Sequence, residues 1–366
     1  MEYKKLDELL EYIQPTKYIV DSENYDDSFP TPVLTAGKSF ILGYTDETNG
    51  IYFASKENPI ILFDDFTTEC KLVDFAFKVK SSACKILKPK KDINIKYIYY
   101  AMKNIDIDTA LHKRYWISIY SQQTIPFPNP TIQENIVSEI EAIKETIEYN
   151  EQKIKYLEEL IKSQFIEMFG DPMLNDKKYK IKTYGELFLL NAGGTPSKNN
   201  KDYWENGTIS WIGSNLCQNV ILYENDGKYI TELGYKNSSA KLFPVDTVLI
   251  ALVGATIGKT ALLKFETTTN QNVLGVRGIR ESGYNPMFVY YYTQFLYQKF
   301  LNIGDGGFSM ASKDFVSKLP IFNLSIEEQN KFDEFAQQID KSKLIVQQEI
   351  KLLNELLEVK TNEYFS

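Results

Sequence analysis

Two segments of the chain carry a periodicity that the rest lacks. From Ile136, the residues Ile140, Ile143, Ile147, Ile154, Leu157, Ile161 and Met168 follow in alternating steps of four and three, with Asn150 in the one polar place before Ile161. That spacing keeps one stripe of a helix apolar. Phe332, Ala336, Ile339, Val346, Ile350, Leu353 and Leu357 repeat the steps, with Lys343 as the polar interruption, and adding 196 to the first series gives the second. Identities accompany the register: Lys155 with Lys351, Glu159 with Glu355, Leu160 with Leu356 and Phe169 with Phe365. The pattern predicts two long helices, over 132–170 and 326–366. Pro126 and Pro320 stiffen the two approaches, Thr131 and Ser325 are the expected caps, and Glu134 and Glu328 complete a capping box three residues on. A helix of this size runs about 57 Å, and its apolar stripe needs a cover. The obvious cover is the other copy, packed antiparallel about a pseudo-twofold axis.

The segments 1–131 and 171–325 alternate short apolar runs with turn residues, and they too resemble each other. KLDELL is similar to TYGELF, and INIKYIYYAM to YNPMFVYYYT, which sets Asn94 against Asn285 and Tyr99 and Tyr100 against Tyr290 and Tyr291. An ungapped alignment also sets PIILFDDFTTECKLVDFAF on TVLIALVGATIGKTALLKF, pairing Thr68 with Thr256, Lys71 with Lys259 and Phe77 with Phe265. Within the second of these, VGATIGKT has the look of a phosphate-binding loop. Such a loop needs four residues between its glycine and the Gly-Lys pair and a helix behind it. Here only Ala255, Thr256 and Ile257 intervene and a strand-like run follows, so two strands joined by a turn are expected. The fold class is α+β: two tandem α/β blocks separated by two long antiparallel coiled-coil helices, a pseudo-twofold repeat. The domains expected are 1–131, 132–170, 171–325 and 326–366.

Composition sets the bounds. A chain of 366 residues suggests more than one domain. No apolar run approaches the length that crosses a bilayer, which points to a cytoplasmic protein with no membrane partner. Cys70, Cys84 and Cys217 lie far apart, and His112 is the only histidine, so no metal site is expected. The net charge of −8 argues at first against a nucleic-acid partner. Its distribution weakens that argument: 132–170 holds four basic against nine acidic residues and 326–366 five against nine, which leaves the two blocks close to neutral.

NAGGTPSKNNKDYWENGTISWIGSNL, VGATIGK, GGFSMASKDFVSKLPI and SIEEQ, in that order, resemble the second target recognition domain of the specificity subunits of type I restriction-modification systems. IQPTKYIV and TPVLTAGKSFILGYTDE hold the matching places in the first half. The resemblance implies a non-catalytic subunit that reads a bipartite, asymmetric site on double-stranded DNA and docks two modification (methyltransferase) subunits along its helices, with restriction subunits as further partners. No cofactor is expected on this chain; S-adenosylmethionine, ATP and Mg are implied only for the partner subunits. The recognition subunit of another restriction-methylation class, or a coiled-coil scaffold without DNA affinity, are the competing readings.

Duplex reading needs amides, hydroxyls and cations at groove edges and phosphates. In the second block these are Gly193, Gly194, Thr195, Ser197 and Lys198 in a small donor-rich loop, Ser214 and Asn215 after ISWIG, Lys259 at the hairpin tip, and Ser309 with Lys313. Trp204 and Trp211 are expected to pack rather than stack on bases. In the first block the candidates are Lys17, Tyr18, Thr35, Lys38, Ser39, Lys71, His112, Lys113, Arg114 and Tyr115.

Overall fold

The computed structural model describes residues 2–37, 39–90, 93–107, 114–303 and 310–366. They form two compact units, one of residues 1–152 with 347–366 and the other of residues 153–346.

In the first unit, alternating apolar residues build an antiparallel sheet in the order Leu10–Ile13, Cys84–Pro89, Ile60–Asp64, Cys70–Val73. The pleat sends neighbours to opposite faces. Ile61, Phe63 and Leu87 pack under the helix Ile95–Lys103, while Leu62, Ile86 and Val73 face a second sheet. That sheet runs Ile41–Thr45, Thr31–Leu34, Ala76–Val79, Tyr52–Phe53, and its two middle strands are parallel.

The second unit has the same plan in the same chain order. Its first sheet runs Leu189–Ala192, Val273–Arg277, Val248–Ala251, Thr260–Leu263, with Val220–Leu222 added in parallel at the edge. Its second sheet runs Tyr229–Ile230, Ile209–Ile212, Thr267–Thr269, Leu242–Phe243, again with a parallel middle pair. The helices Ile95–Lys103 and Pro286–Phe295 start alike, because the side chains of Asn94 and Asn285 each accept a backbone N–H of the first turn.

The long helices span Pro130–Phe169 and Ile326–Phe365. Ser325 and Glu328 form the expected capping box, with Ser325 N–H donating to Glu328 at 3.2 Å and Glu328 N–H to Ser325 Oγ at 3.3 Å. The first helix departs from expectation. Its cap is Asn129, whose Oδ1 accepts Ile132 N–H at 3.0 Å, and Pro130 takes the first helical position, where its missing N–H has no partner to lose. Thr131 therefore lies one residue inside the helix.

Each unit contains an antiparallel pair of helix segments. In the first, Lys360 meets Glu139 at 3.2 Å and the buried Asn150 donates to Glu349 at 3.4 Å. In the second, Lys343 meets Glu158 at 3.1 Å, and Phe165 and Phe169 set their rings 5.1 and 5.8 Å from Phe332. Both polar interruptions of the stripe are thus satisfied within the pairing, so neither leaves an unpaired group in an apolar seam. The final phenylalanines do equivalent work: Phe365 packs on Tyr97 at 5.3 Å in the first unit, and Phe169 on Phe288 at 5.1 Å in the second. Full burial of such a ring stabilises by about 1.5–3 kcal/mol.

VGATIGKT is the turn of an antiparallel hairpin in which Leu249 pairs with Ala261 and Ile250 with Thr260. Gly254 and Gly258 hold φ of +69° and +75°, a left-handed region that favours glycine. The ungapped alignment of this hairpin with its counterpart needs correction. Leu62 lies on the second-sheet face with Leu249, and Ile61 on the helix face with Val248, so residues 187 apart correspond before the turn. Leu72 pairs with Ile61 and Leu262 with Val248, so 190 applies after it. A single-residue slip turns every side chain to the wrong face. Lys71 consequently matches Ala261 within the strand, and not Lys259.

Candidate nucleic-acid interface

In the second unit the parallel pair sends two chains out at one end. Gly213, Ser214 and Asn215 follow Ile212, and Asn270 and Gln271 follow Thr269. A third chain joins them after the strand Leu189–Ala192. Backbone bonds fix the three together: Gly194 N–H donates to Thr269 O at 2.8 Å and Asn270 N–H to Ile212 O at 3.1 Å. Beyond these bonds polar side chains line up. Thr195 Oγ1 donates to Gln271 at 2.6 Å, Gln218 to the carbonyl of Asn215 at 3.2 Å, and Lys259 Nζ to Gln218 at 2.7 Å. A hollow of about 520 Å³ opens among Lys198, Trp204, Trp211, Gly213, Asn215, Lys228 and Asn270.

Of the residues expected in this block, Thr195, Lys198, Ser214, Asn215 and Lys259 meet on this rim. Lys198 is exposed and has no ion-pair partner among the described residues, whereas Lys228 is paired with Asp226. The N–H groups of Gly193 and Gly194 are not free for a phosphate. Both are buried, their N–H groups are engaged by Val273 O and Thr269 O, and a side chain at Gly194 would meet backbone of Ser239 at 2.4 Å, so they are there for close packing. Ser197 is exposed, and its carbonyl accepts the Trp204 indole N–H at 3.1 Å. Trp211 donates its own to Gly194 O at 3.1 Å, and the two indoles pack edge to face at 5.2 Å, as expected of packing residues. Lys313 is exposed at the start of Lys313–Ser317, beyond the bridge that joins Met310 to Val253 of the hairpin. Ser309 lies outside the described residues. Sequence reasoning missed Gln218, Lys228, Asn270 and Gln271; the polar run NQN directly after TTT was the available signal for the last two.

The first unit presents the corresponding loops. Lys80 N–H donates to Leu34 O at 3.0 Å, as Asn270 does to Ile212, and Val20 N–H to Val79 O at 3.0 Å, as Gly194 does to Thr269. Thr35 closes the loop after its strand, donating to Ser39 O at 3.1 Å and accepting Gly37 N–H at 3.2 Å, and leaves Ser39 exposed. Lys17 is exposed above the Tyr18 ring at 5.0 Å, and Tyr18 packs edge-on against Tyr52 at 5.0 Å. Lys78, by contrast, is internal, 2.7 Å from Glu47. Burial alone would raise the Glu47 carboxyl, but Lys78 and the N–H groups of Ser22 and Asp21 outweigh it and hold it below the usual carboxylate range.

Two candidates of this block do not join the rim as expected. Tyr115 is 0% exposed and its N–H donates to Asp65 O at 2.9 Å, so its side chain belongs to the core and cannot reach a duplex. Lys71 sits half-buried within its strand. Arg114 is exposed, and its carbonyl accepts from Ser118 at 2.6 Å. Lys38, His112 and Lys113 lie outside the described residues. Lys80 was missed because the parallel pairing that brings it to the loop of Thr35 joins segments far apart in sequence.

Comparison with known proteins adds four findings. Residues 176–356 match the type I restriction modification DNA specificity domain. The chain is 42% identical over 288 residues to the EcoR124I/EcoR124II type I restriction enzyme specificity subunit of Escherichia coli, covering 75% of this chain and 70% of that one. Among solved structures, the type I restriction-modification S subunit of M. genitalium superposes with a TM-score of 0.62 at 15% identity, over 100% of this chain and 96% of that one. A chain solved in work on complex assembly and conformational transition of the type I R-M system gives 0.58 at 15%, over 99% and 97%.

Proposed function

This chain belongs to the specificity subunits of type I restriction-modification systems, non-catalytic DNA-recognition subunits, and from that premise we propose that each of its two units reads one half of a bipartite, asymmetric duplex site. The observation that carries this reading is the repeated strand plan, which ends in equivalent loops bearing different side chains. A repeated scaffold with unlike tips suits two unlike half-sites. Lys17, Lys198 and Lys259 grip phosphates, and the amides and hydroxyls between them face base edges.

The long helices set the spacing between half-sites and dock two modification subunits. Apolar side chains left exposed along them support this: Leu352, Leu356 and Val359 form one stripe, and Tyr156, Leu160 and Ile345 lie on the segments of the other unit. Adenine methylation, with its S-adenosylmethionine, belongs to those partners, and ATP- and Mg-dependent cleavage to restriction subunits, so this chain holds no cofactor.

Mapping methylated adenines in the host genome with and without the gene tests the reading. A split motif with unlike halves should vanish on deletion. A continuous motif, or methylation that survives deletion, would sink it. Native mass measurement of the purified complex should give two modification subunits per copy of this chain.

A further inference from the structure

We propose that one position of the repeat, Asn270 in the second unit and Lys80 in the first, selects the base of each half-site: adenine through Asn270 with Asn215, guanine through Lys80. The inference rests on the bipartite reading above and deepens it. The two residues are equivalent by construction of the sheet, since each follows the second parallel strand and donates its N–H to the last residue of the first, at 3.1 Å to Ile212 O and 3.0 Å to Leu34 O.

What surrounds the position differs between the units. In the second, Asn270 Oδ1 is occupied by Asn272 N–H at 3.1 Å, which leaves the amide nitrogen as a donor. Asn215 Oδ1 and Asn270 Nδ2 converge over Gly213, lying 2.4 and 3.9 Å from where its Cβ would stand. An acceptor beside a donor matches the major-groove edge of adenine, which offers N6–H₂ and N7. The tryptophans of the hollow cannot compete for this role, because both indole N–H groups are bonded to backbone carbonyls.

In the first unit the place of Asn215, three residues past the strand, is Gly37, and the place of Gly213 is Thr35, whose hydroxyl is engaged within its own loop. No side-chain acceptor stands at Gly37. The Lys80 ammonium presents donors alone, and these fit the paired acceptors O6 and N7 of guanine. The Lys80 ammonium is held by Glu23, a carboxylate 79% exposed, and an ion pair so open to water is readily exchanged for a base.

The test is selection from a randomised duplex library with the full chain assembled with its modification partners, comparing wild type with Asn270→Lys, Lys80→Asn and Asn215→Ala. Asn270→Lys should replace one A·T by G·C in one half-site only. Lys80→Asn should lose the G·C preference in the other half, and Asn215→Ala should relax adenine to either purine. Each change should alter preference by roughly 5- to 150-fold, the range that one good base contact supplies. Unchanged motifs in all three variants, beside a bipartite wild-type motif, would overturn the assignment and leave the bipartite reading standing. A wild-type complex that enriches no split motif brings down both.

Discussion

The two units solve one structural problem with opposite chemistry. Asp65 and Leu252 hold the same place: each donates its N–H to the turn before the next strand, at 3.0 Å to Ala83 O and 2.8 Å to Asn272 O. Each also accepts an N–H on its carbonyl, from Tyr115 and Ala311, at 2.9 Å in both cases. Beside them stand Lys85 and Leu274, equally matched. In the second unit Leu252 and Leu274 are part of an apolar core. In the first, Lys85 is 1% exposed and lies 3.6 Å from Asp65, with further bonds to Ser82 O at 2.6 Å and to Gln14 at 3.2 Å. Identical backbone bonds thus tolerate a buried ion pair or two leucines. The pair does something the leucines cannot: Gln14 leads into the turn of Lys17 and Tyr18 and Ser82 lies two residues past Lys80, so one ammonium ties down two loops of the rim.

The difference can be broken most sharply from the acid side. Asp65→Leu alone leaves the Lys85 charge buried without its partner and removes the acceptor that Trp116 N–H uses at 2.8 Å. The first unit should lose about 3–5 kcal/mol, read as faster hydrogen exchange in Ile60–Asp64 while Val248–Ala251 stays protected. Adding Lys85→Leu transplants the apolar solution of the other unit. Desolvation of two ions is then avoided, and the double variant should regain wild-type stability within about 1–2 kcal/mol or exceed it. A double variant no better than the single one would show that the bonds to Gln14 and Ser82, and not the charge balance, hold the unit. In that case weaker duplex binding by the first half-site should accompany it.

A smaller effect separates packing from recognition on the second rim. Gly194→Ala places a methyl against the Ser239 and Ala240 backbone, and should cost about 1–3 kcal/mol of stability. Lys198→Glu should leave the denaturation midpoint unmoved and weaken duplex binding with a shallower salt dependence, since the proposed phosphate contact is lost. If Gly194→Ala instead kept its stability and lost binding, the glycines would return to the phosphate role that the sequence suggested.

That reversal shows where sequence reasoning holds and where it stops. The helices were legible because a seam repeats over dozens of residues and copies itself at one constant offset. Their pairing partners could be named for the same reason, and so could the cap at Ser325. Inside the blocks the offset drifts from 178 at Leu34 and Ile212 to 187 at Asp65 and Leu252, because loops and hairpins differ in length. No ungapped comparison survives that, and in a strand an error of one residue exchanges core for rim. Glycines were ambiguous for a different reason: GG after a strand describes an open phosphate cradle and a tight crossing of two chains equally well. Only the direction of their N–H groups decides, and that direction is set by the parallel pair to which sequence-distant residues contribute.

The mildest difference concerns acid. Asp246, before the strand Val248–Ala251, receives Lys264 at 3.0 Å and two nitrogens of Arg280 at 2.8 and 2.6 Å, while its counterpart in the first unit is Pro59 and cannot ionise. Burial alone would raise the carboxyl, but the bonds from Lys264 and Arg280 prevail and hold it below the usual 3.8. A carboxyl with a lower value in the folded than in the unfolded chain binds fewer protons when folded. Its stabilisation is therefore complete above the usual value and fades as pH falls through the folded one. The stability gap between wild type and Asp246→Asn should be about 1 kcal/mol from pH 5 to 7, given a partly exposed bridge, and should close as pH falls below the usual 3.8 and through the lower folded value. Asparagine accepts the left-handed backbone at this position, φ +66°, so the comparison isolates the charge. Acid titration of the two units by hydrogen exchange should show this gap in the second unit alone; a gap that persists at low pH would assign it to lost hydrogen bonds and not to ionisation.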